Sequence, residues 1–308
     1  MSARGNRTSR QAGRRPSPKQ PMKLRPYRLS QLTTDAFALV GYSVAGEESV
    51  IIAPELDAVF DIGRCPREAL SVNHVLLTHG HADHVAGLAY YFAQRDFQGI
   101  AGGTALVPSR LVGPLEDLMS AWGRVEGHVP PHRFVPTGDG DDHEIRRGLL
   151  ARAFATRHCP GSLGFSLIEV RRKLKAEFAD RTGPQLVELK NGGVEITNRL
   201  EMPLVAYLGD TAKSNYSDLP HVRDARVLLV ECTFFEPEHL KRARAGRHLH
   251  VVDLPEVLEG MNNERIVIVH VTRRTSVAAA RRILRKALPA DVLERATFLM
   301  SGRHVAPE

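Results

Sequence analysis

Cysteine is scarce in this chain of 308 residues: there are three, Cys65, Cys159 and Cys232, and none stands in a CxxC pair. That excludes a disulfide framework and a thiolate metal cage, and it points to a reducing compartment. Aromatic residues make up only 6% of the sequence, and no aromatic-interleaved surface for stacking bases is recognisable. No apolar run approaches the roughly 18 residues of a membrane-spanning helix, and the N-terminus lacks the apolar centre of a secretory signal. Acid is missing from one region. Residues 1–34 hold nine bases (Arg4, Arg7, Arg10, Arg14, Arg15, Lys19, Lys23, Arg25, Arg28) and no Asp or Glu. The other 33 bases face 35 acids, so the rest of the chain is formally −2 although the total is +7. The basic character therefore belongs to a tail, low in apolar residues and expected to be disordered over 1–34. Such a tail can touch RNA phosphates, act as an Arg- and Ser-rich transit peptide, or only solubilise; composition leaves all three open.

What is present is an ordinary globular balance, 43% hydrophobic and 25% charged, and one dense cluster of metal-binding side chains. The stretch HVLLTHGHADHVAGL, residues 74–88, opens as a short apolar strand. His79 and His81 lie two apart, on one side of an extended segment, and Gly80 permits a tight turn. Asp83 and His84 follow at an expected helix start, with Val85, Leu88 and Ala89 at helical spacing. Any one of these histidines alone reads as a surface residue. Together they place three imidazoles and a carboxylate where a strand gives way to a helix, a mixture suited to a divalent ion such as zinc.

One such cluster is incomplete, and the remaining ligands are expected at strand ends. His158 closes the run LLARAFATRH, Asp210 closes PLVAYLGD, and His270 closes RIVIVH. Five histidines and two aspartates suffice for two ions, with His79, His81 and His158 on one, Asp83, His84 and His270 on the other, and Asp210 between them. Strands are expected within 36–44, 49–63, 72–79, 104–108, 149–157, 163–170, 203–208, 227–232, 265–269 and 297–300. Helices are expected at 83–95, 109–123, 251–260 and 275–287. The second half weakly echoes the first, which fits an α/β body of sheets sandwiched between helical layers.

The succession THGHADHVAGL, His158, GDT, ECTF and VIVH resembles the metallo-β-lactamase superfamily. Within it, GYSVAGEESVIIAPELDAVFDIGRCP, FATRHCPGSLGFSLIEVRRKLKAEF and LKNGGVEIT are similar to tRNase Z, in particular its short plant form, over residues 36–302. The resemblance implies a four-layer αβ/βα sandwich over 35–304. It also implies a zinc-dependent endoribonuclease that removes the 3′ trailer of precursor tRNA. Two zinc ions per subunit are implied, with Mn²⁺ or Fe²⁺ as substitutes. Two residues join the site on this basis: His248 as the acid that protonates the departing 3′ oxygen, and Glu231 as the group that orients it. His250 is the rival to His248. Asp83 is expected to take or hold the proton of the attacking water, and Arg247, Arg273 and Arg274 are expected to clamp substrate phosphates.

A homodimer and a cytoplasmic setting without membrane attachment complete the expectation, with organellar targeting by the tail left open. The chain departs from the family in several places. The long Gly/Pro-rich arm is missing between His158 and Asp210, Pro160 lies one place early, Phe165 replaces a tyrosine, and Arg247 replaces a glycine. None removes a ligand. Two other readings stand beside this one: a hydrolase of the same fold acting on a small phosphodiester or ester, and a non-catalytic RNA-binding homologue.

Overall fold

A computed structural model describes residues 29–299. Two sheets of seven strands form in strict chain order. The first runs β1 (Ser30–Thr33), β2 (Ala38–Val44), β3 (Glu48–Ala53), β4 (Ala58–Phe60), β5 (His74–Leu76), β6 (Thr104–Pro108) and β7 (Arg133–Thr137). The second runs β8 (Asp142–Arg146), β9 (Leu149–Ala155), β10 (Leu163–Leu174), β11 (Thr197–Tyr207), β12 (Val227–Glu231), β13 (Arg265–Val269) and β14 (Ala296–Phe298). In each sheet the half that carries β-to-helix crossovers is parallel: β4 to β7 in the first, β11 to β14 in the second.

Alternation along the strands decides what each face meets. In β12, Val227 and Leu229 point between the sheets, where they join Phe60, Leu76, Phe165, Val205 and Val267. Leu228 and Val230 point outward instead, onto helical elements through Val222, Leu254 and Leu284. The first sheet does the same, with Val50, Ile52 and Val75 packed against Leu88, Phe92, Leu115 and Met119. Both sheets are therefore apolar on both faces, and the result is the expected four layers, helix–sheet–sheet–helix. The helices are α1 (Ala82–Val85), α2 (Leu88–Phe97), α3 (Val112–Glu126), α4 (Gly183–Asn191), α5 (Pro220–Arg223), α6 (Leu240–Gly246), α7 (Leu254–Val257), α8 (Val277–Ala287) and α9 (Ala290–Arg295).

Several boundaries differ from those expected. Ser30–Thr33 pairs antiparallel with Ala38–Gly41, so four residues assigned to the tail belong to the first sheet. Residues 1–28 of that tail lie outside the described residues. The single helix expected over 83–95 is two, because Gly87 brings the backbone against Arg64 and Cys65, where a Cβ would stand 2.7 Å from main-chain atoms. The helix expected over 251–260 shrinks to short turns and α7, and Gly260, at φ 72, sits in the left-handed region just beyond them. β7, β8 and α4 were not anticipated. β10 and β11 also run past their core partners as a polar two-stranded extension, Val170–Leu174 with Thr197–Glu201, tipped by α4. Without an apolar side to bury, that extension leaves no periodic signal.

Candidate metal centre

All the loops that carry the anticipated ligands leave the sandwich at one end. His79 follows β5, His158 follows β9, Asp210 follows β11 and His270 follows β13. Apart from β9 these strands lie in the parallel halves, where open α/β sheets gather ligand-binding groups at their carboxyl ends. Asp83 and His84 sit on α1, held there by a backbone contact: Gly63 approaches so closely that a Cβ would lie 1.8 Å from the Asp83 carbonyl oxygen.

The seven side chains meet as two trios with Asp210 between them. His158 Nε2 lies 3.0 Å from His81 Nδ1, and the two rings crowd that of His79 at 4.8 and 4.6 Å between centroids. His84 Nε2 lies 3.3 Å from His270 Nε2, and Asp83 Oδ2 is 3.4 Å from the latter and 3.6 Å from the former. Asp210 Oδ2 stands 3.3 and 3.4 Å from His84 and His270, and 3.7 and 3.8 Å from His79 and His158. Two nitrogens bound to one tetrahedral ion at ~2.0–2.1 Å are themselves about 3.4 Å apart, so these spacings suit shared cations. Two atoms make the same point by being left over: His79 Nε2 and Asp210 Oδ1 are buried with no hydrogen-bond partner among the described residues. The donor set of imidazoles and carboxylates fits a divalent metal.

The electrostatics agree. Burial, with His84 beside it, pushes His79 down to about 2, so its imidazole stays neutral and free to ligate. Burial likewise lowers His158. For His84, burial opposes the charge but Asp210 and Asp61 outweigh it and hold the ring well above the ordinary histidine range. Burial would raise Asp210, yet His270 and His84 keep it far below the usual carboxylate range. The Asp210 carboxylate is thus held ionised, and its charge favours a cation at this spot.

Two carboxylates behind the ligands aim them, and one was missed from sequence. Asp61 Oδ2 accepts from His84 Nδ1 at 2.7 Å and from the Tyr207 hydroxyl at 3.0 Å. Its other oxygen accepts from the Thr78 amide and hydroxyl, and the Thr78 hydroxyl lies 3.0 Å from His79 Nδ1. One carboxylate therefore orients a histidine in each trio. Asp61 follows the apolar run Ala58–Phe60 just as Asp210 follows its own, so the same strand-end reading would have found it. Glu231 is the second hub. It sits 3.0 Å from His248 Nδ1, and through Thr233 it reaches His270 Nδ1, with steps of 2.6 and 3.0 Å. Such partners fix tautomer and ring orientation.

His248, not His250, faces the centre. Its ring stacks on His270 at 5.3 Å, while the His250 side chain is used within the turn after it, 3.3 Å from the Val252 amide. Burial alone would lower His248, but Glu231 and Asp210 raise it to about 9. Together with Asp83, Asp210 and His270 it lines a cleft of about 350 Å³, whose wall includes Phe234, Arg242 and Arg274. Of the three arginines expected at substrate, only Arg274 lines this cleft. Arg247 donates to the His158 carbonyl at 3.1 Å while its own carbonyl meets His158 Nδ1 at 3.2 Å, and Arg273 pairs with Glu47.

Residues 56–271 match the family model described as the beta-lactamase superfamily domain, and with this fold and centre the chain belongs to the metallo-β-lactamase superfamily. Two plant proteins narrow the assignment. The chain is 34% identical over 262 residues to chloroplastic tRNase Z TRZ2 of Arabidopsis thaliana, covering 82% of this chain and 72% of the relative. It is 32% identical over 246 residues to tRNase Z TRZ1 of the same plant, covering 79% and 88%. Within the superfamily the protein is therefore a member of the tRNase Z family. The crystal structure of human tRNase Z, short form, shares the fold with a TM-score of 0.53 at 17% identity, over 76% of this chain and 92% of that one.

Proposed function

We propose that this protein is a zinc-dependent endoribonuclease that removes the 3′ trailer of precursor tRNA. The observation that carries the reading is the intact pair of ligand trios about Asp210 in a chain so similar to plant tRNase Z. His79, His81 and His158 would hold one ion and Asp83, His84 and His270 the other, with Asp210 shared. When bound, such ions supply Lewis acidity at the phosphoryl oxygens and a water acid enough to ionise near neutrality.

The chain's own groups do the rest. Asp83 Oδ2, anchored at 2.8 Å by the Gly46 amide, is positioned to orient the attacking water and accept its proton. His248 is kept protonated by Glu231, and with Nδ1 engaged there the Nε2–H is the proton left to donate. That proton goes to the 3′ oxygen of the retained nucleotide as the P–O bond breaks, since an alkoxide is a poor leaving group. The products are tRNA with a free 3′ hydroxyl and a trailer with a 5′ phosphate. A cytoplasmic or organellar setting belongs to the same proposal; among the described residues no helix is long and apolar enough to cross a membrane.

The test is incubation of the zinc-loaded protein with a precursor tRNA bearing a 3′ trailer, with both new ends mapped, beside a chelated sample and Asp83→Ala. A single metal-dependent cut after the discriminator base, lost in the variant, is expected. Turnover of a simple phosphodiester without that cut would place the protein among general hydrolases of the fold.

A further inference from the structure

Five arginines stand beside His248 and His270 in sequence, and the structure divides them by what they hold. Arg244 forms a two-pronged pair with Asp253 at 2.6 and 2.7 Å. Arg247 is bound to the His158 carbonyl and Arg273 to Glu47. Those three charges are committed to the fold. Arg242 and Arg274 are exposed, line the catalytic cleft, and have no carboxylate partner among the described residues. Their placement has a local cause. Arg242 precedes Arg244 by two residues on α6, about 200° around the helix, so the Arg244–Asp253 pair turns Arg242 to the opposite face. Arg274 leaves the turn after β13, where its amide meets the Thr272 hydroxyl, and reaches the same cleft from the other sheet position.

A lone phosphodiester at the Asp83–Asp210 centre would already face the ions expected there. Two further guanidinium forks on the cleft wall suit the charge and geometry of another phosphate. His248, the group that serves the retained 3′ oxygen, lines the same cleft as both arginines, which assigns this second phosphate to the retained side. We infer that Arg242 and Arg274 together seat the phosphate immediately 5′ of the last retained nucleotide, which makes the cleft selective for polynucleotides over isolated phosphodiesters. The inference rests on the phosphodiesterase reading above and adds the substrate feature that the cleft selects.

The experiment compares dissociation constants of a fluorescently labelled trinucleoside diphosphate and dinucleoside monophosphate, using zinc-loaded full-length protein and fluorescence anisotropy. The extra phosphate is expected to tighten binding about tenfold, the order of one charge-assisted contact. That ratio should fall toward one in Arg242→Gln and in Arg274→Gln, recover in part in Arg242→Lys, and persist in Arg244→Gln, which loses a fold contact but no cleft cation. No advantage in the unaltered protein, or an advantage that survives removal of both arginines, would overturn the inference. A protein that cuts precursor tRNA without the advantage keeps its function and loses the seat; one with the advantage but no cut keeps the seat and loses the tRNA assignment.

Discussion

His248 and Asp61 show how much of this centre depends on groups that need not touch a metal. Glu231 raises His248 to about 9, so the imidazolium is the prevailing form at neutral pH. Activity is therefore expected to decline as pH rises through about 9, where the donated proton is lost. His248→Ala should lower turnover by roughly 10²–10⁴-fold with metal content unchanged, and rate profiles against pH would show the high-pH limb disappear. Stability follows the same sign. The folded value lies above the ordinary 6.5, so this contribution is complete below about 6.5 and is lost as pH climbs through about 9. For Asp61 the expected result concerns binding. Asp61→Asn keeps the shape but replaces the anionic acceptor behind His84 and Thr78, and metal affinity should drop by about 10–100-fold. Competition against a chromophoric chelator measures it, and an unchanged affinity would remove Asp61 from that role.

At the level of elements, the decisive features are the points where the two sheets touch beside the site. The β10 end is tied to the ligand loop by the Leu163 amide donating to the Thr78 carbonyl at 2.9 Å. Gly209, between β11 and Asp210, has φ +60, and a Cβ there would sit 2.9 Å from Thr78 Cγ2. Gly209→Ala should cost about 1–3 kcal/mol through backbone strain alone. It should also push Thr78 off His79 Nδ1, so thermal unfolding and bound metal are expected to fall together. A variant that melts lower but retains full metal would show that the strain stops at the backbone. Asp61, Arg247 and His270, none of them glycine, also adopt positive φ, between 54 and 56°, at the ends of elements around the same centre. Backbone strain concentrated there is what a tightly determined site tolerates.

At the scale of the whole molecule, the centre bridges two sheets whose facing surfaces meet mainly through apolar packing. Asp61, His79 and His84 belong to the first half of the chain and His158, Asp210 and His270 to the second. A bound ion should therefore stabilise the complete sandwich, by about 4 kcal/mol at a free concentration a thousandfold above its dissociation constant. Chelation is expected to lower the melting temperature and restored zinc to recover it; a melting curve indifferent to metal would mean that the ions contribute chemistry alone. The sequence by itself offered the seven candidate ligands and their division into trios, because apolar runs ending in histidine or aspartate are local signals, and its likeness to tRNase Z implied the four layers and the family. It also favoured His248 over His250 through the family motif, and the position of the ring over His270 gives that preference a geometric basis. Only the tertiary structure decided the rest. Asp61 and Thr78 gain their meaning from partners more than fifteen residues away or from one shared hydroxyl, and Arg247 and Arg273 lost their expected place to carbonyl and carboxylate partners that no spacing announces. Charge can be read from composition, but what a charge is paired with depends on which surfaces the fold brings within hydrogen-bonding distance.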